Sequence, residues 1–179
     1  MPTTYKCLAT STVSGTGSLT FSNIPQTYQD LAIHMSIRVN NASQNYQNVS
    51  IRPDSNATDG RAQFVTLGST NAGSTTSTTS SGTSQIWQLP APTSNNTING
   101  FGFVSTNWLY IPFYLNTLFF KQGWMQVGTI RPNQSAVSQV YASGNYYSEN
   151  GGAIDSLLIQ FNSDAESGTI VSLYGIALP

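Results

Sequence analysis

Between Asp30 and Val39 the chain reads DLAIHMSIRV, with Leu31, Ile33, Met35, Ile37 and Val39 alternating against Ala32, His34, Ser36 and Arg38. A period of two places the first set on one face of an extended strand and the second on the other, so the segment predicts a half-buried β-strand. Further strand-like runs lie at Tyr5 to Val13, Ser18 to Ser22, Val49 to Arg52, Arg61 to Leu67, Ser84 to Leu89, Ile98 to Ser105 and Trp108 to Lys121. Gly123 to Arg131, Ala136 to Tyr146, Ala153 to Phe161 and Gly168 to Ile176 complete the series. Turn-forming clusters such as Pro53-Asp54-Ser55-Asn56, Pro90-Ala91-Pro92 and Glu149-Asn150-Gly151-Gly152 divide most of them. Thr27 to Ala32 and Ala136 to Tyr141 each have room for a helical turn, but neither carries an apolar stripe of helix length. Many short strands at regular spacing predict an all-β fold, an antiparallel β-sandwich of the jelly-roll type.

A length of 179 residues fits one domain spanning 1–179, since domains typically hold about 100 to 200 residues. The tract Ser69 to Ser84, STNAGSTTSTTSSGTS, has no apolar residue larger than alanine. It is expected as an exposed loop, or as an arm lying along a neighbouring subunit. Only 7% of residues are charged, against about a quarter in ordinary soluble domains. Ser, Thr, Asn, Gln and Gly, which make up about half the chain, must keep the surface wet instead.

That shortage of charge excludes several functions. Six Lys and Arg scattered along the chain make no basic footprint for phosphates, so no nucleic-acid partner is expected. A polybasic membrane contact fails for the same reason, and no apolar run approaches the ~18 residues of a membrane-spanning helix. The opening MPTTYKCLAT has no basic region followed by an apolar stretch, which argues against a secretory signal. The single cysteine, Cys7, has no internal disulfide partner.

Catalytic groups are scarce too. His34 is the only histidine and sits on the polar side of a strand, so a Ser-His-Asp or Cys-His arrangement lacks a credible base. One His and one Cys do not make a zinc site. A glycosidase needs only two carboxylates, but Asp30, Asp54, Asp59, Glu149, Asp155, Asp164 and Glu166 mostly adjoin turn residues, where such side chains cap backbone groups or stay wet. The run from Asp54 faintly resembles a calcium loop, yet it has Asp59 where glycine is required and Val65 where the bidentate Glu belongs. No catalytic residue, metal or cofactor is therefore assigned.

Aromatic residues carry the positive signal. Phe101, Phe103, Trp108, Tyr110, Phe113, Tyr114, Phe119, Phe120 and Trp124 crowd one stretch, and alternation puts them on both faces of neighbouring strands. One face then meets the core and the other meets either a second subunit or a covering layer of the same domain. Trp108, Tyr110, Tyr114, Phe119 and Tyr174 are the candidate residues of an oligomer or capsid interface. Tyr141, Tyr146 and Tyr147, beside Ser143 and Asn145, would suit sugar stacking or a protein contact.

Three blocks of sequence bear a resemblance. Phe21-Ser22-Asn23-Ile24-Pro25-Gln26-Thr27-Tyr28-Gln29-Asp30-Leu31 with Ser36-Ile37-Arg38, then Ile111-Pro112-Phe113-Tyr114-Leu115-Asn116-Thr117 leading to Lys121, then Gly168-Thr169-Ile170-Val171-Ser172-Leu173-Tyr174-Gly175-Ile176 are similar to a family of small structural proteins of tailed bacteriophages. The resemblance implies a virion component without enzymatic activity, made in the host cytoplasm. Physically, Ile24-Pro25 and Tyr28 read as a corner pinning one sheet to the other, Gly175 as a place of close approach, and Arg38 as a cation needing a carboxylate or carbonyl partner.

A capsid decoration or cement protein, trimeric on the capsid exterior and bridging major capsid subunits, would be small, compact and free of catalytic groups. Its near-neutral surface would depend little on salt, because screening acts on charge. The alternative is a tail fibre or tail-associated protein that binds a receptor or host surface glycan, with the Ser/Thr tract and Tyr141 to Tyr147 as contact surfaces.

Overall fold

The structure, a computed structural model, describes residues 4–15, 17–39, 46–53, 61–69, 75–82, 87–92, 105–115, 121–130, 137–147, 153–161 and 163–177. Side chains are described within 4–39, 49–53, 107–115, 123–126 and 153–177. These residues form strands and turns without a helix. The strands are β1 (Thr4–Val13), β2 (Ser18–Phe21), β3 (Asp30–Ile37), β4 (Tyr46–Pro53), β5 (Arg61–Ser69) and β6 (Thr75–Gly82). The second half of the chain adds β7 (Trp87–Pro92), β8 (Ser105–Ile111), β9 (Lys121–Ile130), β10 (Val137–Tyr147), β11 (Leu157–Phe161) and β12 (Thr169–Ala177).

Two sheets result, both antiparallel. The larger has eight strands in the order β1-β12-β3-β8-β9-β10-β5-β6, and the smaller has four in the order β2-β11-β4-β7. The expected all-β, antiparallel architecture is present. The Ser/Thr tract differs from the loop reading: Thr75–Gly82 is the terminal strand of the larger sheet, paired along its length with β5. The segment has no apolar alternation, but its threonines favour an extended backbone through β-branching alone. Pro90-Ala91-Pro92 also differs, forming the last three paired residues of β7 rather than a turn that follows the strand. β7 ends the smaller sheet, and a strand with one free edge tolerates a missing N–H.

Alternation builds the core. Leu31, Ile33, Met35, Ile37 and Val39 are all 0% exposed, as their period of two requires, and His34 on the other parity is exposed. In β11, Leu157, Ile159 and Phe161 are buried and the intervening Leu158 and Gln160 are half-buried. Both sheets contribute to a single apolar cluster, the larger through residues such as Ile33 and Leu109 and the smaller through Ile51 and Ile159. Burial of apolar surface of this kind is the dominant favourable contribution to folding.

Between β2 and β3 the chain passes from the smaller sheet to the larger through Ile24 to Tyr28, and this corner is heavily tied. Ile24 N donates to Asp155 O at 2.8 Å, Gln26 Nε2 donates to Ile24 O at 2.8 Å and to Ile154 O at 3.1 Å, and Gln29 N donates to Ile176 O at 3.0 Å. The Tyr114 hydroxyl donates to Pro25 O. The Tyr28 ring lies directly on Gly175 of β12, where an added Cβ would stand 2.5 Å from Cδ2 and 2.7 Å from Cδ1. The close approach expected at Gly175 is thus made by a ring rather than by a backbone. At the far end of β3, Arg38 finds its partner in Glu166, with Nη2 to Oε2 at 3.2 Å, and Arg38 O accepts from both Glu166 N and Thr169 Oγ1 at 2.9 Å.

Alanine in a strand interior normally gains about 0.5–1 kcal/mol over glycine, but at position 175 the sign reverses. Gly175→Ala should destabilise the fold by about 1–3 kcal/mol through overpacking. In a Tyr28→Ala background the same change should cost little, and the coupling is read from the four denaturation midpoints of the double-mutant cycle.

Candidate functional site

The outer face of the larger sheet carries an aromatic cluster. In β8, Asn107, Leu109 and Ile111 point inward at 0% exposure, so alternation turns Trp108 and Tyr110 outward. In β9, Gly123 and Met125 are buried and Trp124 and Gln126 exposed. Register sets Tyr110 opposite Trp124 and Trp108 opposite Gln126. The rings of Trp108 and Tyr110 are 5.9 Å apart at 17°, and those of Tyr110 and Trp124 are 5.7 Å apart at 26°. Near-parallel rings at such distances contribute about 0.5–1.5 kcal/mol per pair beyond area burial. Trp108 is 37% exposed and Trp124 49%, so the stack rigidifies large aromatic surface that still meets solvent.

Neighbouring strands extend the surface. Tyr174 in β12, Ala32 in β3 and Tyr110 follow one another in register across the sheet, as do Ser172, His34 and Trp108 in the adjacent row. Directly opposed residues share a face, which places Tyr174 and His34 beside the stack. Ala32 between the two tyrosines is 0% exposed.

A buried carboxylate fixes the stack from beneath its edge. Asp30, 4% exposed, accepts the Tyr110 hydroxyl on Oδ2 at 2.5 Å and the Phe113 backbone N–H on Oδ1 at 2.9 Å. Phe113 has φ of 49°, in the left-handed region disfavoured for residues with a Cβ. The same carboxylate therefore orients one ring of the stack and holds the turn that ends β8. Desolvation first, then the hydrogen bond and charge of Asp30, raise the Tyr110 phenol well above its ordinary ionisation range.

Of the sequence candidates, Trp108, Tyr110 and Tyr174 come together on this face. Tyr114 does not, and its assignment to an interface is corrected: it is 0% exposed and belongs to the core, because the turn at Phe113 swings it inward to reach Pro25. Burial raises the Tyr114 phenol as well. Phe119 lies outside the described residues. Tyr141, Tyr146 and Tyr147 belong to β10, opposite Gln126, Lys121 and Arg61 respectively, and their side chains lie outside the description. Trp124 and Asp30 were not singled out as site residues. Alternation in Gly123-Trp124-Met125-Gln126 carries the first, whereas the second depends on the pairing of β3 with β8, which no local pattern reveals.

Two of the described acids have assigned partners: Asp30 serves Tyr110 and Phe113, and Glu166 serves Arg38. Among the described residues no group of three or more His, Cys, Asp or Glu is placed to hold a metal ion. Comparison with protein-family models, curated proteins and solved structures finds no match.

The unfolded chain loses the Tyr110 proton near the ordinary value of 10.0, and the folded chain only at higher pH. The contribution of Tyr110 to stability is therefore whole below pH 10 and lost as the pH rises beyond it. Tyr110→Phe should flatten this alkaline limb in denaturant titrations. Asp30→Asn, which turns one acceptor into a donor facing a donor, should cost about 1.5–3 kcal/mol at neutral pH.

Proposed function

We propose that the chain is a jelly-roll sandwich acting as a non-enzymatic structural protein of a tailed-bacteriophage virion. In this reading it is a capsid decoration or cement protein, trimeric on the capsid exterior, which bridges major capsid subunits. The observation that carries the reading is strand order. The strands β1-β12-β3-β8 and β2-β11-β4-β7 make two four-stranded groups, and successive strands of these eight lie in opposite groups except β4 and β7, an order like that of a jelly roll, an architecture recurrent in viral capsid and lectin domains. The pairs β5–β6 and β9–β10 prolong the larger group without interrupting it.

Two further features support a structural role. The three sequence blocks that resemble phage structural proteins meet at one corner: Tyr114 on Pro25, Phe113 N on Asp30, and Gly175 under Tyr28. The exposed stack of Trp108, Tyr110 and Trp124 has the composition of a protein interface, where Trp and Tyr anchors are enriched and charge is depleted. Fold alone does not assign function, so the docking surface bears the specific claim. A stacked Trp-Tyr-Trp surface beside exposed His34 and Gln126 also favours a second reading, a tail-associated protein binding a host surface glycan. Neither reading involves nucleic acid, a membrane, a metal or a cofactor.

Copy number separates the two. Quantitative mass spectrometry of purified virions should give a ratio to the major capsid protein of about one to one for cement on a symmetric shell, against a few per hundred for a tail component. Absence from purified particles would contradict both.

A further inference from the structure

The outward face of the smaller sheet carries a cation that meets no counter-charge among the described residues. In β4, Val49 and Ile51 point into the core at 0% exposure, so Ser50 and Arg52 take the opposite face. Register sets Leu158 of β11 opposite Arg52, and Gln160 opposite Ser50. Thr20 and Ser18 of β2, both exposed, continue the same two rows. Leu158, Gln160 and Arg52 are half-buried. Arg52 is the only charged residue in the four strands, whose sequences are SLTF, LLIQF, YQNVSIRP and WQLPAP. The ion pair described elsewhere is Arg38 with Glu166, and among the described residues no carboxylate pairs with Arg52.

Two polar groups on this face are desolvated without a partner. Arg52 Nε is buried and unpartnered, and so is the hydroxyl of Ser50, a residue 1% exposed. Buried polar groups are nearly always hydrogen-bonded, and an unmatched one costs the folded chain free energy. A carboxylate suits both as an acceptor, because it offers two oxygens, donates nothing when ionised and matches the guanidinium fork. We propose that this face is a second docking surface, on which Arg52 receives an Asp or Glu side chain of a neighbouring virion protein. Charge complementarity selects that occupant: the four strands supply a single positive charge and no acid. Side-chain rotation, common on docking, brings the buried donor to the incoming carboxylate. This surface presupposes the virion reading and adds to it. Inward residues of both sheets share one core, so the Arg52 face looks away from the aromatic face, and bridging two subunits requires two faces.

Stability and incorporation are measured together. Arg52→Met keeps an extended side chain and removes the unmatched cation, so the denaturation midpoint of the purified protein should stay level or rise. Supplied with the unmodified protein during particle assembly, the same variant should be depleted about tenfold or more in purified virions. Arg52→Glu, which sets like charges against each other, should be depleted further. A lowered midpoint for Arg52→Met means that Arg52 is satisfied within the chain, and overturns the proposal. Incorporation of Arg52→Met equal to that of the unmodified protein overturns the docking surface. Arg52→Glu incorporated as well as Arg52→Met overturns the acidic partner. Absence of the unmodified protein from virions overturns the virion reading and this surface with it, whereas equal competition by a variant overturns this surface alone.

Discussion

The Tyr28 ring resting on Gly175 is the contact on which the two-sheet arrangement turns. It fixes where the chain leaves the smaller sheet and enters the larger one, and glycine is required because any Cβ would occupy the space of the ring. Around it, Tyr114 reaches Pro25, Gln26 reaches Ile154, and Ile24 reaches Asp155. Segments far apart in sequence are thereby tied at one end of the core. Among the described residues, this corner is held by close packing and by hydrogen bonds from tyrosine and glutamine.

The corner also places the outer face. Asp30 begins β3 directly after the Tyr28 turn, and its carboxylate holds both the Tyr110 hydroxyl and the backbone of Phe113. From there, ladder register carries Trp108 and Trp124 into the stack. The stacked rings are thereby held in fixed orientations.

Strand positions were legible where alternation was strong. Asp30 to Val39 and the segment after Gly168 read correctly because each buries one face and a single-residue slip would invert it. β6 was illegible to a hydrophobicity pattern because it contains no apolar residue, and β7 because its prolines resemble a terminator. The stack was half legible: Trp108 and Tyr110 follow from aromatic density, but separating them from Tyr114 needs the turn at Phe113, whose positive φ has no signature in a Pro-Phe-Tyr sequence. Asp30 is a partner of Tyr110 only through strand pairing across 80 positions. Order among the strands, and hence the jelly-roll reading, is a property of tertiary pairing as well.

The proposal that the protein docks on a particle through its aromatic face is tested most directly by competition. A Trp108→Ala/Trp124→Ala variant, verified as folded, would be supplied together with the unmodified protein during particle assembly, and the ratio of the two in purified virions measured. With each anchor truncation costing about 2 kcal/mol or more at a docked interface, the variant should be depleted at least tenfold. Equal incorporation of the two forms would contradict docking through this face.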